Sequence, residues 1–203
     1  MRSFLGKALF TLVLGVPAMS FAAPFQIDPS HSNAHFKVKH MMVATVRGEF
    51  TKMAGNVQYD PAKPEAISID ASIDTTTINT REEKRDAHLK SPDFFDVAKF
   101  PTITFKSKSA KSTGKGKLAV TGDLTMRGVT KQVVLDVEGL DAEVKDPWGN
   151  MRIGAIASTK VNRKDFGLNW NQALEAGGVL VGENVDITID VELVKQAEKS
   201  ATK

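Results

Sequence analysis

From Asn33 onward, most of the chain alternates between apolar and polar positions. In SNAHFKVKH, Ala34, Phe36, Val38 and His40 share one side, and His35, Lys37 and Lys39 share the other. Ile67, Ile69, Ala71 and Ile73 alternate with Ser68, Asp70, Ser72 and Asp74. The same rhythm carries Leu118, Val120, Leu124 and Met126, then Val133, Leu135 and Val137, and finally Ile187, Ile189, Val191 and Leu193. Ile103 and Phe105 follow Pro101 in the same way. A period of two places alternate side chains on opposite faces of a strand, so each run predicts a strand with one buried face. Weaker strands are predicted near Val46–Val57 and Arg152–Val161. The separators are turn-forming: Asp60-Pro61-Ala62-Lys63-Pro64, Ser112-Thr113-Gly114-Lys115-Gly116, Arg127-Gly128-Val129-Thr130 and Asp146-Pro147-Trp148-Gly149-Asn150.

One segment departs from this rhythm. Asn79-Thr80-Arg81-Glu82 has capping-box spacing, with Asn79 as N-cap and Glu82 three residues on. It predicts a helix over Arg81–Lys90, ended by Pro92 and followed by a turn through Asp93-Phe94-Phe95-Asp96. About eight antiparallel strands with one helical insertion fit a closed barrel or a two-sheet sandwich. Strands of about ten residues favour closure, which removes exposed edges. The expected fold is all-β: an eight-stranded antiparallel lipocalin-like barrel with a helical insertion near residues 80–96. A barrel of that size is just wide enough to hold one small ligand.

The N-terminus adds a destination. Arg2 and Lys7 precede an apolar run, Ala8–Val16, and then Pro17 and Ser20-Phe21-Ala22. This is the order of a secretory signal peptide, with cleavage expected after Ala22. The apolar run is well short of the roughly 20 residues that span a bilayer. The expected organisation is a leader over 1–22, one domain over 23–195 and a flexible polar tail over 196–203. The expected location is the periplasm. The full chain carries 27 Lys+Arg and 24 Asp+Glu; loss of Arg2 and Lys7 with the leader lowers the net charge from +3 to +1. A nearly neutral domain lacks the concentrated basic face of a nucleic-acid binder. The chain has no cysteine, so disulfides, thiol catalysis and thiolate metal sites are excluded.

Little in the sequence points to catalysis. His31 and His35 are four residues apart, but on a strand that is about 13 Å, too far to share one ion. Ser30-His31 is not supported by a G-x-S-x-G elbow, and Gly114-Lys115-Gly116 reads as a hairpin. The expectation is no enzyme activity, no metal and no cofactor. The unusual chemistry lies in the insertion, where Arg85, Asp86 and His88 sit beside Phe94, Phe95 and Phe100. These three rings are expected to plug one barrel end, with Arg85 paired to a nearby Asp, and the segment also to frame the mouth of a cavity.

Four motifs in order carry a family resemblance. They are Asp28-Pro29-Ser30-His31-Ser32 with Phe36 and Lys39-His40; Arg85-Asp86-x-His88-Leu89 leading into Asp93-Phe94-Phe95-Asp96-Val97 and Phe100-Pro101; Gly122-Asp123-Leu124-Thr125-Met126-Arg127-Gly128-Val129-Thr130; and Asp165-Phe166-Gly167. With them the chain resembles the YceI-like family of bacterial periplasmic proteins from about Phe25 to Val194. One departure is Met126-Arg127 before Gly128, where His or Asn is frequent; little consequence is expected in a turn. The resemblance implies a lipocalin-like barrel, often paired as a homodimer, that holds a long isoprenoid (polyprenyl) or similar amphiphilic lipid. It also implies a link to base or osmotic stress in some members. The function so implied is a periplasmic lipid carrier with transient membrane contact. The alternatives are a lipid isomerase or cyclase using His88 or Asp86 as acid or base, and a non-catalytic stress-response protein. The candidate lipid-binding wall is Phe36, Val38, Ile69, Ile73, Phe105, Leu124, Leu135, Ile187 and Ile189. The candidate mouth and head-group residues are Arg85, His88, Phe94, Phe95, Trp148 and Phe166.

Overall fold

The computed structural model describes residues 22–175 and 177–197. Of the leader and tail assigned above, residues 1–21 and 198–203 lie outside the described residues. Among the described residues the strands are β1 (Ala23–Ile27), β2 (Asn33–His40), β3 (Ala44–Phe50), β4 (Met53–Tyr59), β5 (Ser68–Asp74), β6 (Ile78–Asn79), β7 (Thr102–Gly114), β8 (Lys117–Met126), β9 (Val129–Glu138), β10 (Glu143–Lys145), β11 (Met151–Asn162) and β12 (Val181–Lys195), with one α-helix, α1 (Glu83–Lys90).

Pairing register shows how these strands become eight barrel staves. One edge of β12 pairs with β11 from Asn184↔Asn162 to Val194↔Arg152. Its other edge pairs first with β2, over Val181–Asp190, and then with β1, over Leu193–Lys195. β1 and β2 are therefore two halves of one stave, and β3 and β4, which pair with them, are halves of the next. The ring continues β4–β5–β7–β8–β9, all antiparallel, and closes where β9 meets β11 at Val137↔Ala157. The closed eight-stranded antiparallel barrel expected from strand length is the fold.

Both broken staves mark a change of side-chain parity. Phe25 and Ile27 face inward at odd positions, whereas Ala34 faces inward at an even one; Phe50 and Met53 do the same across Thr51-Lys52. A strand cannot keep its inward face through such a change without an irregularity. The single weak strand predicted over Val46–Val57 is therefore two.

The helix begins later than predicted. Arg81 has a left-handed backbone (φ 65°), so Asn79 forms a local turn, its Oδ1 accepting from the Arg81 N–H at 2.9 Å. Glu82 is the N-cap and accepts from the N–H groups of Lys84 and Arg85. Two close approaches shape the barrel wall. A Cβ on Gly48 would lie 2.4 Å from the Phe36 ring and 2.7 Å from Thr80, and one on Gly122 would lie 2.4 Å from the Phe105 ring. Glycine at these two positions lets the aromatic rings lie flat against the wall.

Candidate functional site

The inward residues do not fill the barrel. They enclose a cavity of about 200 Å³, far beyond the roughly 10–15 Å³ that admits a single water. All nine predicted wall residues, Phe36, Val38, Ile69, Ile73, Phe105, Leu124, Leu135, Ile187 and Ile189, line it. They come from β2, β5, β7, β8, β9 and β12, so the wall runs round most of the ring. The lining is apolar apart from His35, Thr104, Thr159 and Arg163. From Ala155 to Arg163 along β11 and the turn beyond it, the lining spans about 26 Å of strand, or about 20 Å of barrel axis at the usual tilt of about 40°. One end is closed by Tyr59, whose hydroxyl donates to the Leu140 carbonyl at 3.1 Å, beside buried Phe25, Leu118, Ile153 and Leu193.

The other end lies under α1. Leu89, Phe94 and Phe95 reach the cavity, and Phe95 packs edge-on against Phe50 with ring centroids 5.5 Å apart. A clasp on Thr80, itself buried, holds α1 in place. Asp86 Oδ1 accepts from the Thr80 N–H (2.8 Å) and hydroxyl (2.5 Å), while Arg85 Nε and Nη2 donate to Thr80 Oγ1 and its carbonyl, each at 2.7 Å.

This geometry corrects several predicted mouth residues. The Arg85 guanidinium is engaged in that clasp, not paired to an Asp. His88 Nε2 lies 3.0 Å from Asp93 Oδ2, and its ring packs edge-on against Phe94 and Trp170, outside the cavity wall. Phe166 is core at 1% exposure, because its turn folds inward against β9. Trp148 is 81% exposed in the turn between β10 and β11. That turn lies at the end of the barrel opposite α1, because Arg152 pairs with Val194 and Asn162 with Asn184. Of the six, Phe94 and Phe95 are at the cavity.

Arg163 is a lining residue that did not emerge from the sequence. It follows β11 with the inward parity of Ala155, Ala157, Thr159 and Val161, and it is 5% exposed. Nε donates to the Gly182 carbonyl at 2.9 Å, Nη1 to that of Leu168, and Nη2 to that of Val181 at 3.3 Å. Burial pushes its pKa down, opposed by the field of Glu183.

The Asp28-Pro29-Ser30-His31 motif serves the far end. Arg152 Nη1 donates to Asp28 (2.7 Å) and to Glu192, and its Nε donates to Asp146 (2.7 Å). Asp28 also accepts from the Ser30 N–H and lies 3.0 Å from His31 Nδ1. The Arg152 hydrogen bond, then those of His31 and Ser30, hold the Asp28 carboxyl well below the usual carboxylate range. Burial raises the Asp146 pKa, but hydrogen bonds from Arg152, Asn150 and Trp148 outweigh it and lower that carboxyl too. Ligand atoms of Asp28, His31 and Glu192 lie within 4.8 Å of one another; here Arg152 already supplies the positive charge between the carboxylates. His88 does not join them.

A closed eight-stranded antiparallel barrel with an apolar lumen, sealed at one end and capped by a short helix at the other, defines a lipocalin-like cavity barrel. The YceI-like domain model matches residues 25–193, and the chain belongs to that family. A UPF0312 protein of Pseudomonas putida is 38% identical over 197 residues, 96% of this chain and 98% of that one. The crystal structure of a Campylobacter jejuni YceI protein superposes with a TM-score of 0.66 at 30% identity, covering 78% of this chain and 90% of that chain. A polyisoprenoid-binding domain from Saccharophagus degradans shares the fold with a TM-score of 0.64 at 16% identity, covering 86% and 99%.

Proposed function

We propose that this protein is an exported, non-catalytic carrier that holds the apolar chain of an isoprenoid or similar lipid inside its barrel. The observation that carries the reading is the lumen itself, elongated and lined almost wholly by carbon. Each buried methylene contributes about 0.8 kcal/mol. About twenty carbons are then needed to offset the upper range of the roughly 4–15 kcal/mol lost in rigid-body freedom on association. A long chain meets that requirement over the whole range, and a short one only at its lower end. The polyisoprenoid-binding fold relative from Saccharophagus degradans supports the same ligand class, and the leader motif supports a periplasmic location.

The groups an isomerase or cyclase would use as acid or base, His88 or Asp86, are engaged outside the cavity wall, which favours binding over turnover. The carrier meets a membrane through the tip of the β2–β3 hairpin. There Met41, Met42 and Val43 are 45%, 60% and 83% exposed. Met41 and Met42 also have positive φ (50° and 62°), a cost of about 1–3 kcal/mol each for non-glycine residues. Assembly as a homodimer is the form the family resemblance implies.

Calorimetric titration of lipid-stripped protein with geranylgeraniol tests the carrier reading. One chain is expected to bind saturably. Ala157→Phe, which places a ring in the lumen at mid-barrel, is expected to weaken binding at least tenfold while the protein stays folded. Absence of binding, or equal binding by folded A157F, would contradict the reading.

A further inference from the structure

We propose that the β2–β3 hairpin tip docks on an anionic bilayer surface, its apolar residues entering the lipid and the cations behind it meeting the head groups. This rests on the carrier reading above and names the surface on which the mouth opens. The tip belongs to the cavity end: Val38 and Val181 line the lumen, and Val181 pairs with His40 at the base of the tip. It is also fastened in place. The Met41 N–H donates to the Leu180 carbonyl at 2.8 Å, and the Met42 side chain lies beside Gly178, where a Cβ would be 3.6 Å from Met42 Cγ. Met41, Met42 and Val43 are therefore exposed on a backbone held from the neighbouring loop.

The charges behind the tip select the partner. Lys37, Lys39 and Arg47 lie on the outer faces of β2 and β3, all exposed. Among the described residues, neither Lys39 nor Arg47 has a carboxylate within ion-pair distance. Asp186 is shared by Lys37 and Lys160, Glu183 is paired with Lys164, and exposed Glu175 in the adjoining loop reaches neither cation. Lys37 also sits directly opposite Arg47 across the strand pair, an arrangement of like charges that costs stability. Packing of the barrel gives no reason for it; an anionic surface does. Depth agrees. Lys39 is about 7 Å of strand from Met41, and Lys37 and Arg47 are about 13 Å from the tip. The head-group layer is about 5–8 Å deep on each side of a bilayer, and charge acts about 8 Å further at physiological salt. With the tip at the hydrocarbon boundary, Lys39 lies among the head groups and the other two lie within their field. Apolar burial together with cation attraction is how peripheral elements hold to anionic lipid. A second copy meeting the tip face to face would bring like charge instead.

The test floats purified protein with vesicles of phosphatidylcholine, alone or mixed with phosphatidylglycerol, and in parallel titrates it with geranylgeraniol in solution. Wild type should bind the mixed vesicles at least tenfold more tightly than the neutral ones, with the difference shrinking as salt is raised. Lys39→Gln with Arg47→Gln should remove at least tenfold of that preference, at about fivefold per cation near an anionic surface. Met42→Ser with Val43→Ser should weaken capture by both vesicles. Both variants should take up geranylgeraniol as wild type does. If either variant does not fold, the wild-type comparison and its salt dependence still decide. Equal capture by the two vesicles, a preference that survives in folded K39Q/R47Q, or no capture at all overturns the docking; continued geranylgeraniol uptake then leaves the cargo reading standing. A wild-type dimer in light scattering that M42S/V43S breaks, with vesicle capture unchanged, also overturns it and assigns the tip to a second copy. Docking without geranylgeraniol uptake overturns the carrier reading alone.

Discussion

Arg152 joins three carboxylates from separate parts of the chain: Asp28 after β1, Asp146 in the β10–β11 turn and Glu192 on β12. Asp28 and Asp146 are held below the usual carboxylate range, so on acidification the unfolded chain takes up protons before the folded one. The stability they contribute is complete well above the unperturbed Asp pKa of about 3.9 and is lost as the pH falls through that value and below it. Arg152→Met should lower the melting temperature at pH 7 and flatten its decline between pH 5 and pH 3. Melts followed by circular dichroism would check this; parallel acid limbs in the two proteins would refute the assigned cause. At this scale the sequence was readable wherever parity alone decides. All nine wall residues came from period-two runs, and Arg163 continues the inward parity of β11; it was missed because the strand predicted there ends at Val161. Arg127 shows the opposite limit. With Gly128 it forms a two-residue hairpin turn with both φ positive (50° and 74°), where His or Asn is less strained than Arg. Arg127 also donates to the Gly167 and Pro92 carbonyls. The departure from the family pattern therefore ties two loops together, contrary to the small consequence expected for a turn.

Helix α1 carries no buried residue of its own, and its first turn depends on the Thr80 clasp. Asp86→Ala would leave the buried Thr80 N–H and hydroxyl without their acceptor, at a cost of about 1–3 kcal/mol. It should also loosen the mouth. The expected result in hydrogen exchange is faster exchange over Thr80–Lys90 with the β8–β9 hairpin unchanged; unchanged exchange in the helix would show that the clasp is dispensable. The helix was legible as an interruption of the strand rhythm, but its start was not. Asn79 and Glu82 have capping-box spacing, and only the left-handed backbone at Arg81 shows that Glu82 caps the helix instead. The break at Thr51-Lys52 was similarly hidden, because a run with few large apolar residues does not reveal a change of parity.

Strand length argued for closure of the whole molecule, and closure is what the register shows. What the sequence did not contain is which edges meet. The ring closes through a short ladder, Asp136–Glu138 against Ile156–Ser158, and beyond it the inward turn at Arg163–Phe166 packs against β9. Nor could alternation distinguish a packed core from a lumen, because both need the same inward carbons; the difference lies in how far apart opposite walls stand. The central claim is that this space holds a long apolar chain. Native mass spectrometry of the protein purified without denaturation from the cells that make it tests it most directly. The expected result is a wild-type species heavier than the bare chain by one long-chain lipid, extractable into organic solvent and absent from A157F. A wild-type protein with only the bare-chain mass, which also takes up no polyprenyl ligand when offered one, would contradict it.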